Sequence, residues 1–228
     1  MTWKVEQTMY LPKHFSKEDE ADALRIADSN SLATVISVDR ENMPFVNHLP
    51  LIVEKDELGL KLIGHMSRAN PQWRHFANGS DATVIFHGPQ AYITPSWYKS
   101  GRDVPTWNYA VVHISGRVRL VESHDALVDI LRKSTEKFEA NNQIPWHFSL
   151  PDDLANPELL ASAIVGFDLR VEVLKSKFKL SQNRSPADRQ AILAGLKAQD
   201  DDMSQHLSVL MEEQFFTATS RRSKITQS

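Results

Sequence analysis

Three β-rich segments follow one another at short intervals near the start of the chain, and this spacing limits the fold more than any other feature of the sequence. They are Leu32–Val38, Phe45–Val53 and Leu58–Met66. The links between them are short and polar, such as Arg40–Asn42, and links of this length join antiparallel neighbours. The sequence therefore predicts an antiparallel meander, and it argues against a parallel sheet in which strands and helices alternate.

Four more β-rich segments and several helices are predicted further along the chain. The strands cover residues 82–87, 91–94, 111–121 and 164–174. Serine N-caps predict helices that begin after Ser16, Ser123 and Ser185. Six or seven antiparallel strands with helices inserted between them are typical of a small barrel with peripheral helices.

The composition excludes several classes of protein. The 228 residues contain no cysteine, which rules out disulfides, thiolate metal sites and a cysteine nucleophile. The net charge is −3, so the chain lacks the overall positive charge that drives nucleic-acid binding. No apolar run approaches the roughly 18 residues of a membrane span and no signal peptide is visible, so we expect a cytoplasmic protein without membrane contact.

The common catalytic motifs are absent from the sequence. It has no dinucleotide-binding glycine motif, no P-loop, no zinc-protease helix and no nucleophile elbow. The nine histidines are scattered, and no two of them lie four residues apart on a helix. We therefore predict no metal site.

The segment His65–Pro71 combines features that suit a phosphate group. A predicted strand ends here, and a hydroxyl (Ser67) and a guanidinium (Arg68) follow it. Asn70 as N-cap and Pro71 at the first helical position then predict a helix that ends before Gly79. Backbone donors at a helix start, a hydroxyl and an arginine together bind dianions well. The alternative is a simple cap, a turn residue and a surface charge, and the residues alone leave both interpretations open.

Aromatic residues are concentrated in one window of the chain. Five of the nine tryptophans and tyrosines lie between positions 92 and 109, where Pro95, Gly101 and Pro105 shape the loop. Rigid rings with polar neighbours suit a flat ligand or a subunit interface. The alternative is a loop that its aromatic residues attach to the barrel.

Several short motifs together resemble one family. They are Met9–Phe15, Pro95–Tyr98, Val104–Tyr109 followed by Val112, His113 and Gly116, and Lys179–Arg184. In this order and spacing they resemble the PaiB family, also called the FMN-binding negative transcriptional regulators, over about residues 9–200. That family is similar to the pyridoxamine-phosphate-oxidase-like split barrels, which are homodimers with FMN in two clefts at the dimer interface. The resemblance implies a mainly β fold with peripheral helices, a six-stranded antiparallel split barrel, FMN as cofactor and a second copy of the chain as partner.

The resemblance also implies a set of cofactor contacts. Ser67 and Arg68 match the phosphate position, and residues 47–50 lie on the strand that runs beside the flavin ring. Trp107 and Asn108 would reach the cofactor from the other subunit, and the Lys179–Arg184 motif would close the cleft. The full set is Asn47, His48, Leu49, Pro50, His65, Ser67, Arg68, Asn70, Trp107, Asn108, Lys179, Ser181, Gln182 and Arg184.

The function that the resemblance implies is flavin-dependent redox chemistry or redox-linked regulation. Catalytic residues stay unassigned, although His48, His113 and Tyr109 are the nearest candidates on sequence position. The alternatives are a DNA-associated repressor and a haem-handling split barrel. DNA binding is expected to be weak, since no helix-turn-helix is evident and the basic cluster is limited to Arg221, Arg222 and Lys224.

Two regions are expected along the chain. Residues 1–180 would form the FMN-binding split-barrel domain with its inserted helices, and residues 181–228 a helical extension with a frayed polar tail. Nothing in the sequence identifies the substrate, the electron donor or the subunit that supplies each flavin contact.

Overall fold

A computed structural model describes residues 9–17, 19–77, 79–101, 104–151 and 156–217. Seven antiparallel strands form one sheet in the order β2-β1-β5-β6-β7-β4-β3. Their bounds are β1 Leu32–Val38, β2 Pro44–Pro50, β3 Ile52–Asp56, β4 Gly59–Ser67, β5 Asp81–Ile93, β6 Thr106–Val121 and β7 Ile164–Lys179. The mainly β split-barrel class is thus confirmed, with seven strands in place of the six expected.

The described residues contain six α-helices, of which α1 precedes the first strand and the others lie between the strands or follow them. Their bounds are α1 Glu20–Ser29, α2 Trp73–Phe76, α3 His124–Glu139, α4 Pro157–Ala163, α5 Pro186–Lys197 and α6 Asp202–Glu212. Ser123 and Ser185 precede α3 and α5 as predicted, and the Ser185 hydroxyl accepts from the Asp188 amide at 3.1 Å. No helix among the described ranges is long and apolar enough to cross a membrane.

Several predicted boundaries were wrong. The segment 45–53 is two strands, because the chain bends at Leu51, whose amide bonds the Ser31 carbonyl at 2.9 Å. The two strands predicted over 82–94 are one continuous strand, and β7 continues to Lys179, past its predicted end at 174. Helix α4 was missed, although Asn156 caps it and Pro157 opens it.

The chain consists of two compact units. Of the described residues, unit 1 contains 9, 20–77, 79–86, 112–151 and 156–175, and unit 2 contains 10–17, 19, 87–101, 104–111 and 176–217. The strands β5, β6 and β7 contribute residues to both units. The expected division near residue 180 stays a prediction, and the basic tail residues Arg221, Arg222 and Lys224 lie outside the described residues.

The core of unit 1 depends on close packing between β6 and β7. A Cβ at Gly116 of β6 would lie 1.9 Å from the Arg170 carbonyl oxygen of β7, so only glycine fits there. Phe86, Phe167 and Leu169 fill the interior of this unit and are fully buried.

Candidate functional site

The loop that follows β4 uses its backbone donors internally. The Arg68 amide bonds the Ala163 carbonyl at 2.9 Å, and the Asn70 amide bonds the Ser67 carbonyl at 2.9 Å. The Ala69 amide donates to the Ser67 hydroxyl at 3.2 Å. Helix α2 begins only at Trp73, so the predicted helix start at Asn70 was wrong. Any anion bound at this loop would therefore rely on side chains.

The Arg68 side chain is held on two sides. Its Nε donates to the Ala161 carbonyl at 3.1 Å, and its Nη1 donates to the Glu122 carboxylate at 3.0 Å. The guanidinium also lies 5.0 Å from the centre of the Trp73 ring, a cation–π distance. These contacts fix the orientation of the guanidinium, and its Nη2 has no hydrogen-bond partner among the described residues.

A fully buried carboxamide, Gln72, anchors the loop and the edge strand β2 together. Its Nε2 donates to the Val35 carbonyl at 3.1 Å, the Ser37 hydroxyl at 3.1 Å and the Phe45 carbonyl at 3.3 Å. Its Oε1 accepts from Asn47 Nδ2 at 3.0 Å. Because buried polar groups cost free energy when unpaired, this network holds β2 and the loop in one arrangement.

The predicted contacts on β2 lie next to this network. Asn47 Nδ2 donates to Asn70 Oδ1 at 3.1 Å as well as to Gln72, so two of the predicted site residues are hydrogen-bonded to each other. His48 is exposed and its Nδ1 is 3.2 Å from the Thr34 hydroxyl. Leu49 is half-buried, and Pro50 is exposed at the end of the strand.

His65 on β4 carries an unsatisfied nitrogen. Its Nδ1 is buried and has no hydrogen-bond partner among the described residues. Burial lowers the pKa of this histidine below its ordinary value, so the ring is neutral near pH 7. A buried nitrogen without a partner is rare in native proteins, and a bound ligand would satisfy it.

One face of the sheet in unit 1 is open along β1 and β2. Strand β2 has no buried residue, and its outward residues pair in register with those of β1: Val46 with Ile36, and His48 with Thr34. Val46 is 50% exposed and Leu32 on β1 is 67% exposed. An edge strand with apolar side chains on its open face is a typical contact surface for another chain.

In unit 2, the side chains of Asn108 and Ser181 are hydrogen-bonded to each other. Asn108 is fully buried, its Nδ2 donates to Ser181 Oγ at 2.9 Å, and that hydroxyl lies 3.1 Å from Asn108 Oδ1. Ser181 has φ of 66°, a left-handed conformation that is costly for a residue with a side chain. The pair therefore shapes the turn after β7.

The cationic residues of the same turn lie close to one another. Lys179 Nζ bonds the Thr106 hydroxyl, and the Arg184 guanidinium lies 4.8 Å from the Tyr98 ring centre. The pKa of Lys179 is lowered by burial and also by the charges of Lys177 and Arg184. Gln182 bonds the backbone at Leu180 and Phe178, so it is part of the turn itself.

Trp107 is 52% exposed on β6, and its ring meets that of Tyr92 edge to face with centroids 6.0 Å apart.

The fourteen predicted contacts are divided between the two units. Eight, at positions 47–50, 65, 67, 68 and 70, belong to unit 1, and six, at 107, 108, 179, 181, 182 and 184, belong to unit 2.

Three residues that define the loop after β4 were not predicted from the sequence. They are Gln72, which anchors the loop, and Glu122 and Trp73, which position Arg68. Trp73 follows the loop directly and could have been noticed there. Gln72 looks like a surface residue in the sequence, and Glu122 lies 54 positions from Arg68.

The sequence matches known proteins over most of its length. A family model described as "Putative FMN-binding domain" matches residues 9–173. The chain is 36% identical over 210 residues to protease synthase and sporulation protein PAI 2 of Bacillus subtilis, covering 90% of this chain and 97% of that protein. It is 28% identical over 154 residues to an uncharacterized protein of Saccharomyces cerevisiae, covering 58% of this chain and 90% of that protein.

Solved structures match at the level of the fold. The FAD and heme binding protein from Mycobacterium smegmatis has a TM-score of 0.57 at 18% identity, over 77% of this chain and 78% of that chain. The flavocytochrome Anf3 from Azotobacter vinelandii has a TM-score of 0.57 at 15% identity, over 74% of this chain and 72% of that chain. Both matches support the same sheet architecture.

Proposed function

The chain belongs to the PaiB family of FMN-binding domain proteins, with FMN as cofactor, and on that premise we propose that it works as a homodimeric flavoprotein in which the cofactor carries redox chemistry. The observation that carries the proposal is the unsatisfied buried nitrogen of His65, two residues before Ser67 and close in sequence to Arg68. A ligand with polar groups would complete the hydrogen bonds of that strand end. FMN offers such groups along its ribityl chain and phosphate.

The donor set of unit 1 fits FMN. The neutral His65 ring can donate or accept one hydrogen bond, and Arg68 Nη2 is available to a phosphate oxygen. The exposed Ser67 hydroxyl can join it, while Asn47 and Asn70 are kept in place by Gln72. We propose that these residues, with His48, Leu49 and Pro50 on the same edge strand, hold the cofactor.

The residues of unit 2 would contribute in a different way. Lys179 and Arg184 carry positive charges that repel each other, so an anion near them would be stabilised. Trp107 offers an exposed aromatic ring for stacking. Asn108, Ser181 and Gln182 stay predicted contacts, since their polar side-chain atoms are bonded within the turn.

When bound, FMN supplies hydride or electron transfer, and the protein supplies binding and orientation. Arg68 would hold the anionic end, with its geometry set by Ala161, Glu122 and Trp73. His65 would hold a polar group without carrying a charge near pH 7, because burial keeps its pKa low. This chemistry serves equally an oxidoreductase and a redox-linked regulator.

The exposed face of β1 and β2 supports the homodimer. Leu32, Val38 and Val46 are each at least 45% exposed on one sheet face, which is costly in water. We propose that a second copy covers this face. Val46→Asp should then produce a monomeric mass by light scattering at micromolar concentration, while Leu58→Asp, at an exposed apolar residue of the β3–β4 turn, should remain dimeric. A monomeric parent protein would contradict the dimer.

The visible spectrum of the purified protein tests the cofactor. After incubation with FMN and removal of free ligand, we expect a flavin spectrum with FMN retained in a fixed ratio to the chain. A Soret band with no flavin would favour the haem alternative, and the absence of any chromophore after reconstitution would contradict flavin binding.

A further inference from the structure

An open cavity in unit 2 shares one residue, Trp107, with the predicted flavin contacts. Its volume is about 520 Å³, which is the size of a small-molecule site. Strands β5 and β6 form one side, and the start of α6 forms the other. The lining residues are Gln90, Ala91, Tyr92, Thr94, Trp97, Trp107, Gln199, Asp201, Met203 and Ser204.

Three aromatic rings give this cavity its shape. Tyr92 and Trp107 meet edge to face and are each about half exposed, so their remaining ring surfaces are open to a ligand. Trp97 is held against α5: a Cβ at Gly195 would lie 2.4 Å from the indole ring. Glycine at that position therefore lets the ring pack against the helix backbone. A fixed set of aromatic faces presents negative electrostatic potential to whatever enters.

The charge in the cavity lining is negative. Asp201 supplies it, and no lysine, arginine or histidine lines the cavity among the residues that the structure describes. Asp201 is the N-cap of α6, and its Oδ1 accepts a hydrogen bond from the Ser204 amide at 2.8 Å. Hydrogen bonding with Ser204 holds the pKa of the Asp201 carboxyl below its ordinary value. Asp200 and Asp202 flank it in the sequence and add to the negative charge at this end of α6. Aromatic faces and carboxylates both attract cations.

We propose that this cavity binds an organic cation: a protonated amine or quaternary ammonium group on an apolar body. The cation would lie against the Trp107 and Tyr92 rings within reach of the Asp201 carboxylate, and Gln90 and Gln199 could accept hydrogen bonds from an ammonium group. An anion would be repelled by Asp201. A metal ion would find too few ligands, since the described residues contain no group of three metal-ligating side chains.

The decisive variant is Asp201→Asn. Asparagine caps helices as well as aspartate does, so the start of α6 should be kept while the negative charge is lost. Asp202→Asn is the matched control, because it removes an adjacent charge from outside the lining. Tyr92→Leu tests the aromatic contribution, with Tyr92→Phe as its control. Trp107 is not altered, because it is also a predicted flavin contact.

Three probes of similar size and different charge define the ligand class: phenethylammonium, 2-phenylethanol and 3-phenylpropionate. Binding to the apoprotein is followed by calorimetry or by shifts of NMR signals. We expect phenethylammonium to bind at least about tenfold more tightly than the neutral alcohol, and the carboxylate not to bind. Asp201→Asn should remove this preference, and Tyr92→Leu should weaken the ammonium, while Asp202→Asn and Tyr92→Phe should change little.

Equal binding of the three probes, no binding of phenethylammonium, or equal losses in Asp201→Asn and Asp202→Asn would overturn the proposal. If Asp201→Asn does not fold, as judged by circular dichroism, the order of the three probes in the parent protein tests the charge, and Tyr92→Leu against Tyr92→Phe tests the aromatic contact. FMN is absent from this experiment, so its result is separate from that of the flavin proposal.

Discussion

The loop after β4 and the turn after β7 look alike in the sequence but differ in which atoms remain available. Each follows a strand, each combines a serine with an arginine, and each is anchored by a fully buried carboxamide: Gln72 for Ser67–Asn70 and Asn108 for Leu180–Arg184. In the loop after β4, Ser67 is exposed, and the Gln72 carboxamide is hydrogen-bonded to the backbone and to neighbouring side chains. In the turn after β7, Ser181 is buried and is bonded to the Asn108 carboxamide.

This difference separates the roles of the two segments. The loop after β4 is held by Gln72 and keeps a hydroxyl and one guanidinium nitrogen available for a ligand. The turn after β7 uses its serine to stabilise a left-handed backbone, so its positive charges, on Lys179 and Arg184, are what could attract an anion. A serine and an arginine close together in sequence are therefore a weak signal, and the burial of the serine decides what the pair can do.

The largest effect is expected for Gln72→Leu. Leucine fits the volume but removes the hydrogen bonds that the Gln72 side chain makes to the Val35 and Phe45 carbonyls and to the Asn47 amide. The free energy of unfolding should fall by about 3 kcal/mol, measured by urea denaturation. Gln143→Leu, at an exposed glutamine of unit 1, is the control. If both variants lose the same stability, Gln72 does not anchor the loop.

A smaller effect is expected for Asn108→Leu. Ser181 loses the partner of its buried hydroxyl, so the free energy of unfolding should fall by about 1–2 kcal/mol, with Asn183→Leu in the same turn as control. FMN affinity should fall less than it does for Arg68→Ala, because the polar atoms of Asn108 already bond Ser181. If the loss in free energy of FMN binding exceeds the loss in free energy of unfolding, Asn108 is a direct flavin contact. The distinction between the loop after β4 and the turn after β7 would then be lost.

Elements with local signals were predictable from the sequence. Alternation and short links predicted β1 and the meander, and serine caps predicted α3 and α5. Helix α4 was missed because Pro157 belongs to a run of sequence with several prolines that is typical of a loop, although proline at the first position is also a helix signal. Asn70 does accept a hydrogen bond from the Gln72 amide at 3.0 Å, as an N-cap would, but the predicted helix start failed because residues 71 and 72 form a turn whose carbonyls accept i→i+3 bonds from Arg74 and His75.

The sequence supplied candidate residues for the site but not the contacts that organise them. The PaiB resemblance pointed to Ser67 and Arg68, yet their partners come from distant parts of the chain. Glu122 and Ala161 are brought to Arg68 by the fold, and a sequence window contains no sign of either. Gln72 is fully buried for the same reason: its acceptors lie on β1 and β2.

The smallest effect is expected for Glu122→Gln. Glu122 is half exposed, and its charge would compete with a phosphate for the Arg68 guanidinium. Glutamine can keep the hydrogen bond that orients Arg68 while removing the charge. FMN binding should therefore strengthen by about two- to fivefold, because exposed ion pairs contribute little. Riboflavin affinity should not change. A loss of FMN affinity would mean that the charge of Glu122, and not only its hydrogen bond, is needed to orient Arg68.

The most direct test of phosphate binding at the loop after β4 is the titration of FMN and riboflavin into the apoprotein and its Arg68→Ala variant. Arg74→Ala is the matched control, since Arg74 also lies 5.5 Å from the Trp73 ring but has no part in the proposed site. Charge-assisted hydrogen bonds contribute roughly 1.5–3 kcal/mol, so Arg68→Ala should weaken FMN by about ten- to a hundredfold. Riboflavin, which has no phosphate, should bind almost unchanged. Two results would contradict phosphate binding by Arg68: equal losses for both flavins would mean that Arg68 shapes the pocket in general, and no loss for either would move the phosphate elsewhere, with Lys179 and Arg184 the next residues to test.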